Sequence, residues 1–386
     1  MAREFVFFSL AVTGSGISGG DRIFIELARN WSKKDIVNIY TSYQGSELIK
    51  KQKLISKNIN IEIIPNKLLT KNFIFDYIFK IFFSIYLGIT LKKDTDYLYS
   101  SSEFLMDVLP SSIIKIRNKK IKWISTWYQT APNPIKGFSE TNREKKYNFK
   151  ALLYWLSQLP TKPLIKNFSD AIIVNNDSEK KVFPNKKTIV LIGAVPLNDI
   201  KAYTKRNRKH KKIYDAVFQG RLHSQKGVVE LVKIWKKVVE KNPNAKLAMI
   251  GDGDLRKDVE NEIRKNGLNK NIKLFGYLFD GNKKFKIFSQ SRVVVHPAFY
   301  DSGGMAAAEA MAFGLPAIGF DLISYKSYYP KGMLKVEQNN LTAFANAIYK
   351  LLNNKKIYNA YSVQAKKLIE SNYSWEKRSS QIYNQL

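Results

Sequence analysis

The chain contains no cysteine and only three histidines among its 386 residues. Without thiols it can form no disulfide, zinc finger, thiolate nucleophile or iron–sulfur cluster. The three histidines are His210, His223 and His296, and so small a number argues against a multi-histidine metal site. Acidic residues are also scarce, because 32 Asp and Glu stand against 64 Lys and Arg, a formal charge of +32. This excess implies an anionic partner whose nature the composition does not specify.

The sequence has no basic tail that would concentrate this charge. Residues 1–200 hold 30 basic and 17 acidic side chains, and residues 201–386 hold 34 and 15. Nucleic acid, an anionic membrane surface and nucleotide phosphates are all compatible with a charge spread in this way. The hydrophobic fraction of 45% and the charged fraction of 25% are those of a globular protein. The length predicts two domains.

No segment has the pattern of a secretory signal, because the apolar run Phe5–Leu10 is short and precedes glycines. We therefore expect a cytoplasmic protein. The most apolar stretch, residues 73–91, is interrupted at four-residue spacing by Asp76, Lys80, Ser84 and Gly88. Because this spacing aligns them on one stripe of a helix, the sequence predicts a helix packed on a sheet rather than a membrane span. A membrane-surface helix is the alternative.

Short apolar runs alternate with helical-period segments along the whole chain, which is typical of parallel sheets covered by helices on both faces. Two such series predict two doubly wound, Rossmann-like domains, residues 1–200 and residues 201–371. In Lys201–Lys212, seven of twelve residues are basic and none is acidic, so we expect an exposed linker there. The last helix, residues 372–386, is expected to pack back onto the first domain.

The predicted strands of the two series are Glu4–Leu10, Ile36–Thr41, Ile59–Ile64, Asp96–Tyr99, Lys122–Ser125, Ala171–Val174, Ala216–Gln219, Lys246–Ile250, Ile272–Phe275, Val293–His296 and Pro316–Phe320.

A glycine-rich turn joins the first predicted strand to the first helix, in the segment Thr13-Gly-Ser-Gly-Ile-Ser-Gly-Gly20 followed by Asp21. Glycines let the backbone approach a ligand closely, and the helix N-terminus offers N–H groups to an anion or a sugar oxygen. Asp21 is either a ligand contact or a helix cap. The glycine spacing fits the dinucleotide fingerprint, but the acid Asp35 precedes the second strand instead of following it, so no dinucleotide site is predicted. A flexible turn without a ligand is the alternative.

Two further loops follow strands of the second domain. The segment Phe218–Gly227 carries Arg221 and Lys226, two cations that suit a diphosphate. The segment Asp301–Glu309 opens a helix, whose first N–H groups can hold a phosphate. Its two acids would accept hydrogen bonds from sugar hydroxyls. The alternative makes Asp301 a helix cap and Glu309 a solvated residue, although apolar neighbours of Glu309 argue against solvation.

Four motifs in order carry a family resemblance: Gly220-Arg221-Leu222 with Lys226-Gly227, then Ile250–Leu255, then Leu274–Gly276, and finally Asp301 and Glu309 with the run that ends at Pro316. Residues 216–321 resemble the nucleotide-binding half of a retaining glycosyltransferase of family 4 (glycosyl transferases group 1). The first half resembles the family more loosely, through Gly19-Gly20-Asp21. The resemblance implies the GT-B fold, with two Rossmann-like domains facing across a cleft.

The resemblance also implies residue roles. Arg221 and Lys226 would hold the diphosphate of the donor and stabilise the leaving group, and Asp301 would contact the donor sugar, so these three are the catalytic candidates. Glu309 would bind the ribose. The other donor-binding candidates, which line the phosphates, the sugar and the base, are Gly19, Gly20, Gly220, Phe275, Gly276, Gly303, Gly304, Met305 and Ala306.

Three positions depart from the family pattern. Asp301 stands where the family usually has Glu, and Leu322–Lys326 replaces a usual Gly-Gly. The first domain lacks the family's histidine, because no histidine occurs before residue 210. Tyr128 and Gln129 are the acceptor-side candidates for that place.

We expect transfer of a sugar from a UDP- or GDP-linked donor to a glycan or lipid-linked acceptor, with no metal and no nucleic acid. The Asp-x-Asp motifs Asp94-Thr-Asp96 and Asp252-Gly-Asp254 are short enough to arise by chance. The charge and the aromatic segments Trp123–Tyr128 and Leu152–Leu156 favour an anionic inner membrane face as a further partner, although both segments equally suit a core. The alternatives are a GT-B-like sugar-nucleotide epimerase and a non-catalytic nucleic-acid binder.

Overall fold

The computed structural model describes residues 2–13, 17–92, 94–131, 149–191, 193–207, 211–301 and 305–386, with backbone alone for 149–151. The chain divides into two compact units. The first unit comprises Met1–Leu191 and Arg378–Leu386, and the second comprises Ile192–Lys377.

The first unit is built on a seven-stranded parallel sheet of order β3-β2-β1-β4-β5-β6-β7. Its strands are β1 Glu4–Ser9, β2 Ile36–Thr41, β3 Ile59–Ile63, β4 Tyr97–Ser100, β5 Lys122–Trp127, β6 Ala171–Val174 and β7 Thr188–Val190. Its helices are α1 Gly19–Trp31, α2 Tyr43–Lys51, α3 Phe73–Thr90, α4 Leu105–Arg117, α5 Phe149–Phe168 and α6 Asp177–Lys180.

The second unit is built on a six-stranded parallel sheet of order β10-β9-β8-β11-β12-β13. Its strands are β8 Tyr214–Gln219, β9 Leu247–Ile250, β10 Ile272–Leu274, β11 Ser291–His296, β12 Ala317–Phe320 and β13 Met333–Val336. Its helices are α7 Leu197–Arg206, α8 Val228–Lys241, α9 Arg256–Lys265, α10 Asn282–Ser289, α11 Met305–Met311, α12 Ile323–Tyr328, α13 Leu341–Asn353 and α14 Lys355–Asn372.

Apolar and aromatic side chains of the central strands form the core of each unit. In the first unit Phe7 of β1 lies opposite Ile39 of β2 and packs against Tyr99, with ring centroids 4.4 Å apart. In the second unit the fully buried Phe218 of β8 and Trp235 of α8 belong to one apolar cluster. Two parallel sheets with this strand order confirm the predicted pair of Rossmann-like domains.

The segment Lys201–Lys212, predicted to be an exposed linker, is helical over its first half. Residues 201–206 belong to α7, whose Ile200 and Tyr203 are buried in the second unit. The ammonium group of Lys212 donates hydrogen bonds to the carbonyls of Ser289 and Ser291, 2.9 and 2.7 Å away. The linker prediction is therefore wrong for the described part of this segment. Its basic residues lie on the outer face of α7 and hid the apolar residues of the inner face.

The division between the units falls earlier than the predicted boundary after residue 200. The segment after Ile192 joins the second unit because the Val195 amide donates to the Tyr373 carbonyl at 2.8 Å and α7 follows it. The last helix, α15 Trp375–Tyr383, spans the second division of the chain. Residues from Arg378 onward group with the first unit, where the Trp31 indole donates to the Ser379 carbonyl at 3.2 Å.

Helix α3 has the predicted polar stripe, but the stripe faces the interior of the unit. The side chain of Lys80 is 1% exposed and forms an ion pair with Asp76, with 2.9 Å between Nζ and Oδ2. Ser84 is also buried, and its hydroxyl donates to the Met106 carbonyl at 2.8 Å. The apolar side of the helix is exposed instead, with Phe82 at 67%. The ordinary arrangement of an amphipathic helix is thus reversed.

Candidate active site

The candidate site lies at the carboxyl-terminal edge of the second sheet, where the loops after β8 and β11 meet. The Phe299 amide donates to the Gln225 carbonyl at 2.8 Å and ties the two loops together. Gly227 has φ +61°, and a Cβ there would lie 2.0 Å from the Pro297 carbonyl oxygen. Only glycine fits such a contact. The close approach of the loops places Lys226 beside Asp301.

Asp301 is a buried carboxylate that contacts three side chains among the residues that the structure describes. Its Oδ1 lies 3.4 Å from the Nζ of Lys226. Its Oδ2 lies 2.9 Å from the Nε2 of His296 and accepts a hydrogen bond from the Tyr325 hydroxyl at 3.1 Å. These contacts fix the carboxylate in one orientation, with the lysine on one oxygen and the neutral donors on the other.

Burial sets the protonation of the two neutral partners. Desolvation lowers the pKa of His296, although its hydrogen bond to Asp301 acts in the opposite direction. Burial and the nearby Asp301 charge raise the pKa of Tyr325 well above its usual value. Near neutral pH the imidazole is therefore uncharged, and both groups act as hydrogen-bond donors to the acid.

The loop after β8 also carries Arg221, whose side chain is exposed. Within the described residues the guanidinium group of Arg221 has no ion-pair partner, whereas Lys226 is partly buried against Asp301. The two predicted cations thus lie on one loop but differ in exposure and in ion pairing. Arg221 is open to an anion, and Lys226 is held in place by the acid that it neutralises.

The second and third motifs supply the loops that flank this one. Gly251 has φ +141°, and a Cβ there would lie 1.8 Å from the carbonyl oxygen of Gly220. The Gly251 amide donates to the Gly276 carbonyl at 2.8 Å. The loops after β8, β9 and β10 are therefore joined through their backbones. The Phe275 ring lies edge-on to Tyr214 at 5.9 Å and packs against the core, so its predicted contact with a base stays a prediction.

Glu309 is buried on α11, and the alternative of a solvated helix residue is wrong. Its Oε2 lies 2.6 Å from the Nζ of Lys284, which also pairs with Asp280. A ribose hydroxyl at Glu309 would share the carboxylate with this lysine. Met305 and Ala306 lie in the first turn of α11. Gly303 and Gly304 lie outside the described residues.

In the first unit, Gly19 and Gly20 are the first two residues of α1, whereas the sequence predicted them in the turn that precedes the helix. A Cβ on Gly20 would lie 2.9 Å from the Tyr128 ring, so the helix end packs closely on that ring. Ser18 is the helix cap, and the Asp21 carboxylate accepts from the Ser18 amide at 2.9 Å in a capping box. Asp21 therefore has the structural role that the sequence left open. Residues 14–16 of the turn lie outside the described residues.

The acceptor-side candidates Tyr128 and Gln129 differ in accessibility. The Tyr128 hydroxyl lies 3.1 Å from the Tyr99 hydroxyl inside the unit, and burial raises its pKa well above the usual value. The Gln129 carbonyl accepts from the Tyr154 hydroxyl at 2.9 Å and from the Gln158 amide at 2.7 Å. The Gln129 side chain is half-buried, so it is the more available of the two.

Two buried acids of the first unit were missed by sequence reasoning. Burial raises the pKa of Asp107 to about 7. Its Oδ1 accepts from the amides of Leu10 and Ala11 at 2.6 and 3.1 Å. Burial also raises the pKa of Glu103, which accepts from the Tyr154 hydroxyl at 2.7 Å. Both acids follow β4 closely in sequence, and polar residues after a predicted strand were the signal available.

In the second unit the missed residues are His296, Tyr325 and Lys284. His296 is the last residue of β11, at the sheet edge where ligands of such folds bind. That position was a usable signal. No local pattern marks Tyr325 or Lys284 as partners of acids 24 and 25 residues away.

Both Asp-x-Asp motifs have hydrogen-bond partners within their own unit. Asp96 accepts from the Glu4 amide at 2.8 Å. Asp252 accepts from the Gly253 amide at 2.9 Å and lies 3.5 Å from Arg256. Across the described ranges no three acidic or histidine side chains cluster as metal ligands do.

Residues 199–368 match the family model for glycosyl transferases group 1. An uncharacterized glycosyltransferase of Methanocaldococcus jannaschii is 27% identical over 230 residues, which are 55% of this chain and 51% of that one. The poly(glycerol-phosphate) alpha-glucosyltransferase of Bacillus subtilis is 28% identical over 160 residues, 41% and 23% of the two chains. The chain thus spans about half the length, or less, of these relatives.

A solved structure covers the whole fold. Anabaena HepE in complex with UDP and glucose superimposes with a TM-score of 0.70 at 13% identity, over 99% of each chain. The likeness at this identity concerns the fold, and it confirms the predicted GT-B architecture. The match over residues 199–368 and the names of the relatives support the coarser prediction that the chain is a glycosyltransferase.

Proposed function

We propose that the protein is a retaining, family 4 glycosyltransferase that moves a sugar from a nucleotide-diphosphate donor to a glycan or lipid-linked acceptor. One observation carries the proposal. Lys226 and Asp301 lie 3.4 Å apart at the carboxyl edge of the second sheet, on the loops that the family motifs mark. A fixed cation beside a fixed acid suits a donor whose diphosphate is anionic and whose sugar presents hydroxyl donors.

In the proposed reaction the bond between the anomeric carbon and the diphosphate oxygen breaks. The acceptor hydroxyl oxygen bonds to the same carbon with the same configuration, and the nucleoside diphosphate leaves with the proton that the acceptor loses. Negative charge grows on the departing oxygen. Arg221 and Lys226 stabilise that charge, which is the main catalytic contribution we expect, and no metal is then needed.

Asp301 acts in this proposal as the acceptor for hydroxyls of the donor sugar. Its side chain is one methylene shorter than the usual glutamate, and His296 and Tyr325 hold it from the side opposite Lys226. Fixing the shorter acid reduces the entropy lost on binding the sugar. His296 and Tyr325 are positioning residues in this arrangement.

The proposed donor and acceptor follow from the similarity to known proteins and from the net charge of the chain. The Anabaena neighbour binds UDP and glucose, and the Bacillus relative is named for a poly(glycerol-phosphate) acceptor. We propose a UDP- or GDP-linked sugar as donor. A polyanionic or lipid-linked glycan would be attracted by the net charge of +32, and we propose a cytoplasmic enzyme that meets it at the inner membrane face.

The deciding experiment is a panel of UDP- and GDP-linked sugars incubated with the full chain, with and without glycan acceptors. We expect thermal stabilisation by one donor, and release of nucleoside diphosphate that acceptor accelerates. Proton NMR of the product should show the anomeric configuration of the donor, and a chelator should leave the rate unchanged. Conversion of the sugar nucleotide into a different free sugar nucleotide without acceptor would indicate an epimerase instead.

A further inference from the structure

The exposed side of α3 is apolar over its full length. Its large hydrophobic residues are between 45% and 67% exposed, and we name them the α3 face: Phe73, Ile74, Phe75, Ile78, Phe82, Tyr86 and Ile89. The preceding short helix adds Leu68, which is 93% exposed. At 1.5 Å per residue this helix is about 27 Å long. So continuous an apolar surface marks an interaction site.

The charged residues of α3 are absent from this face. Asp76 and Lys80, the only charged residues within Phe73–Thr90, form the buried ion pair on the opposite side. Lys80 also donates to the Val12 carbonyl at 3.4 Å, and Asp76 accepts from the Asn66 amide at 2.6 Å. These bonds tie the inner stripe of the helix to the rest of the first unit.

The length and composition of α3 would also suit a helix that crosses a membrane. A crossing would take the ion pair and its hydrogen-bond partners out of the fold and into hydrocarbon, at a cost of several kcal/mol. A helix that keeps its polar stripe in the fold can lie along a bilayer surface without this loss. The buried stripe therefore favours a helix that lies on a membrane over one that spans it.

Basic residues flank the α3 face at both ends. Lys67 and Lys71 precede the helix and Lys92 follows it, all three exposed. The exposed Asp94 is the nearest acid in sequence after the helix. An apolar centre with a basic border is the pattern of proteins that bind anionic lipid surfaces, because lysines attract the headgroups while apolar side chains enter the acyl boundary.

We propose that the α3 face docks the protein on an anionic lipid bilayer. The helix would lie parallel to the surface, with Ile78 and Phe82 entering the boundary between headgroups and acyl chains and the lysines contacting the headgroups. A second copy of the chain would cover the apolar residues too, but it would bring the two basic borders together. The inference does not depend on the glycosyl transfer proposed above, so the failure of one leaves the other standing.

Vesicle co-sedimentation of the full chain tests the docking. We expect binding to phosphatidylcholine vesicles that contain phosphatidylglycerol, weaker binding to phosphatidylcholine alone, and a decrease with salt. The Ile78→Ser/Phe82→Ser variant should lower the partition coefficient by about a hundredfold, since two large apolar side chains no longer leave water. The matched control is Ile55→Ser/Val363→Ser, at residues that are 89% and 67% exposed outside α3.

A fluorescent label gives a second and independent measurement. The chain has no cysteine, so Phe82→Cys provides one attachment point for an environment-sensitive dye. Its emission should shift to the blue on adding phosphatidylglycerol vesicles and be quenched by brominated acyl chains. The same dye at Val363→Cys should show neither change. Circular dichroism confirms that each variant is folded.

Three results would overturn the proposal. The first is the absence of binding at low salt. The second is binding that both serine variants retain, with no shift of the Phe82→Cys label, which would mean that charge elsewhere makes the contact. The third is a blue shift that rises with protein concentration without lipid, together with a doubled mass in solution, which would assign the α3 face to a second copy.

Discussion

Each parallel sheet of the protein has a buried acid near its carboxyl-terminal edge, and the two acids have different kinds of partner. Asp107 in the first unit accepts hydrogen bonds from the main-chain amides of Leu10 and Ala11 and from the hydroxyl of the nearby Ser102. Asp301 in the second unit is held by three side chains, one of which is a cation. The first acid fixes a loop, while the second is part of a group of side chains that can meet a ligand.

The lysines near these acids also differ, in their exposure and in the position of their partners. Lys80 is fully buried, and its ion pair with Asp76 lies within one helix. Lys226 is partly exposed, and its partner Asp301 lies on another loop. Since the fold is shared, this difference comes from local side chains alone. We therefore expect changes at Lys80 and Asp107 to affect stability and changes at Lys226 and Asp301 to affect transfer.

The largest effect is expected from Lys80→Ala. Removing the ammonium group leaves the Asp76 carboxylate buried without its counter-ion, which costs about 3–5 kcal/mol of unfolding free energy. Urea unfolding measures the loss. The control is Lys50→Ala, which removes an exposed pair with Glu47 at 3.1 Å and should cost less than about 1 kcal/mol.

A double variant separates the effect of losing the ion pair from the effect of leaving one buried charge unpaired. Asp76→Asn with Lys80→Met removes both charges and keeps an oxygen for the Asn66 amide, so it should recover most of the lost stability. If Lys80→Ala and Lys50→Ala cost the same, the buried stripe of α3 does not hold the first unit as we describe.

The next effect is the loss of transfer in Lys226→Ala. The ammonium group is expected to stabilise the leaving diphosphate, and removing one such group from an active site lowers kcat by about 10²–10³. The unfolding free energy should fall less than in Lys80→Ala, because His296 and Tyr325 still donate hydrogen bonds to the Asp301 carboxylate. Lys236→Ala, an exposed lysine on α8, is the matched control and should keep full turnover. Near-normal turnover in Lys226→Ala would remove this residue from the reaction.

How much of the site could be predicted depends on the range of its contacts. Glycines at tight turns and cations at fixed positions are local signals, so the loop with Arg221 and Lys226 was found from sequence. Tyr325 meets Asp301 only because α12 folds over the end of β11, and no sequence spacing encodes that contact. The missed residues are thus those whose role exists only in the folded unit.

The strands also differ in whether the sequence predicts them. All central strands were predicted from their apolar runs, whereas β7 and β13, the short strands at one edge of each sheet, were missed. Length does not explain the omission, since β10 and β12 have three and four residues too and were predicted. For α3 the period was predicted but its direction was not, because a stripe repeated every four residues does not say which side faces inward.

The pH dependence of stability is a test of the first acid. Burial raises the pKa of Asp107 from 3.8 to about 7, so between these values the folded protein binds more protons than the unfolded chain. Its contribution to stability is therefore complete below pH 3.8 and is lost as the pH rises to 7. The slope approaches about 1.4 kcal/mol per pH unit.

Asp107→Asn cannot titrate and keeps an oxygen for the two main-chain amides. Urea unfolding from pH 5 to pH 8 should show a smaller loss of stability with rising pH in this variant than in the unchanged chain. Parallel curves for the two proteins would mean that Asp107 titrates in the folded state as it does in the unfolded one.

The smallest effect is expected from Tyr325→Phe, which removes one of the two neutral donors to Asp301. His296 still holds the same oxygen at 2.9 Å, so the carboxylate stays in place but becomes less firmly fixed. We expect turnover to fall by about five- to tenfold, less than the full value of a hydrogen bond to a charged group, because His296 keeps the same oxygen in place. The matched control is Tyr358→Phe, because the Tyr358 hydroxyl donates to the Arg292 carbonyl at 3.0 Å elsewhere in the second unit.

A positioning role for Tyr325 predicts a fall in kcat with little change in stability. Combining Tyr325→Phe with Asp301→Asn should then add nothing to the loss from Asp301→Asn alone. If the two losses multiply, Tyr325 acts independently of the acid, and the contrast between the two acids weakens.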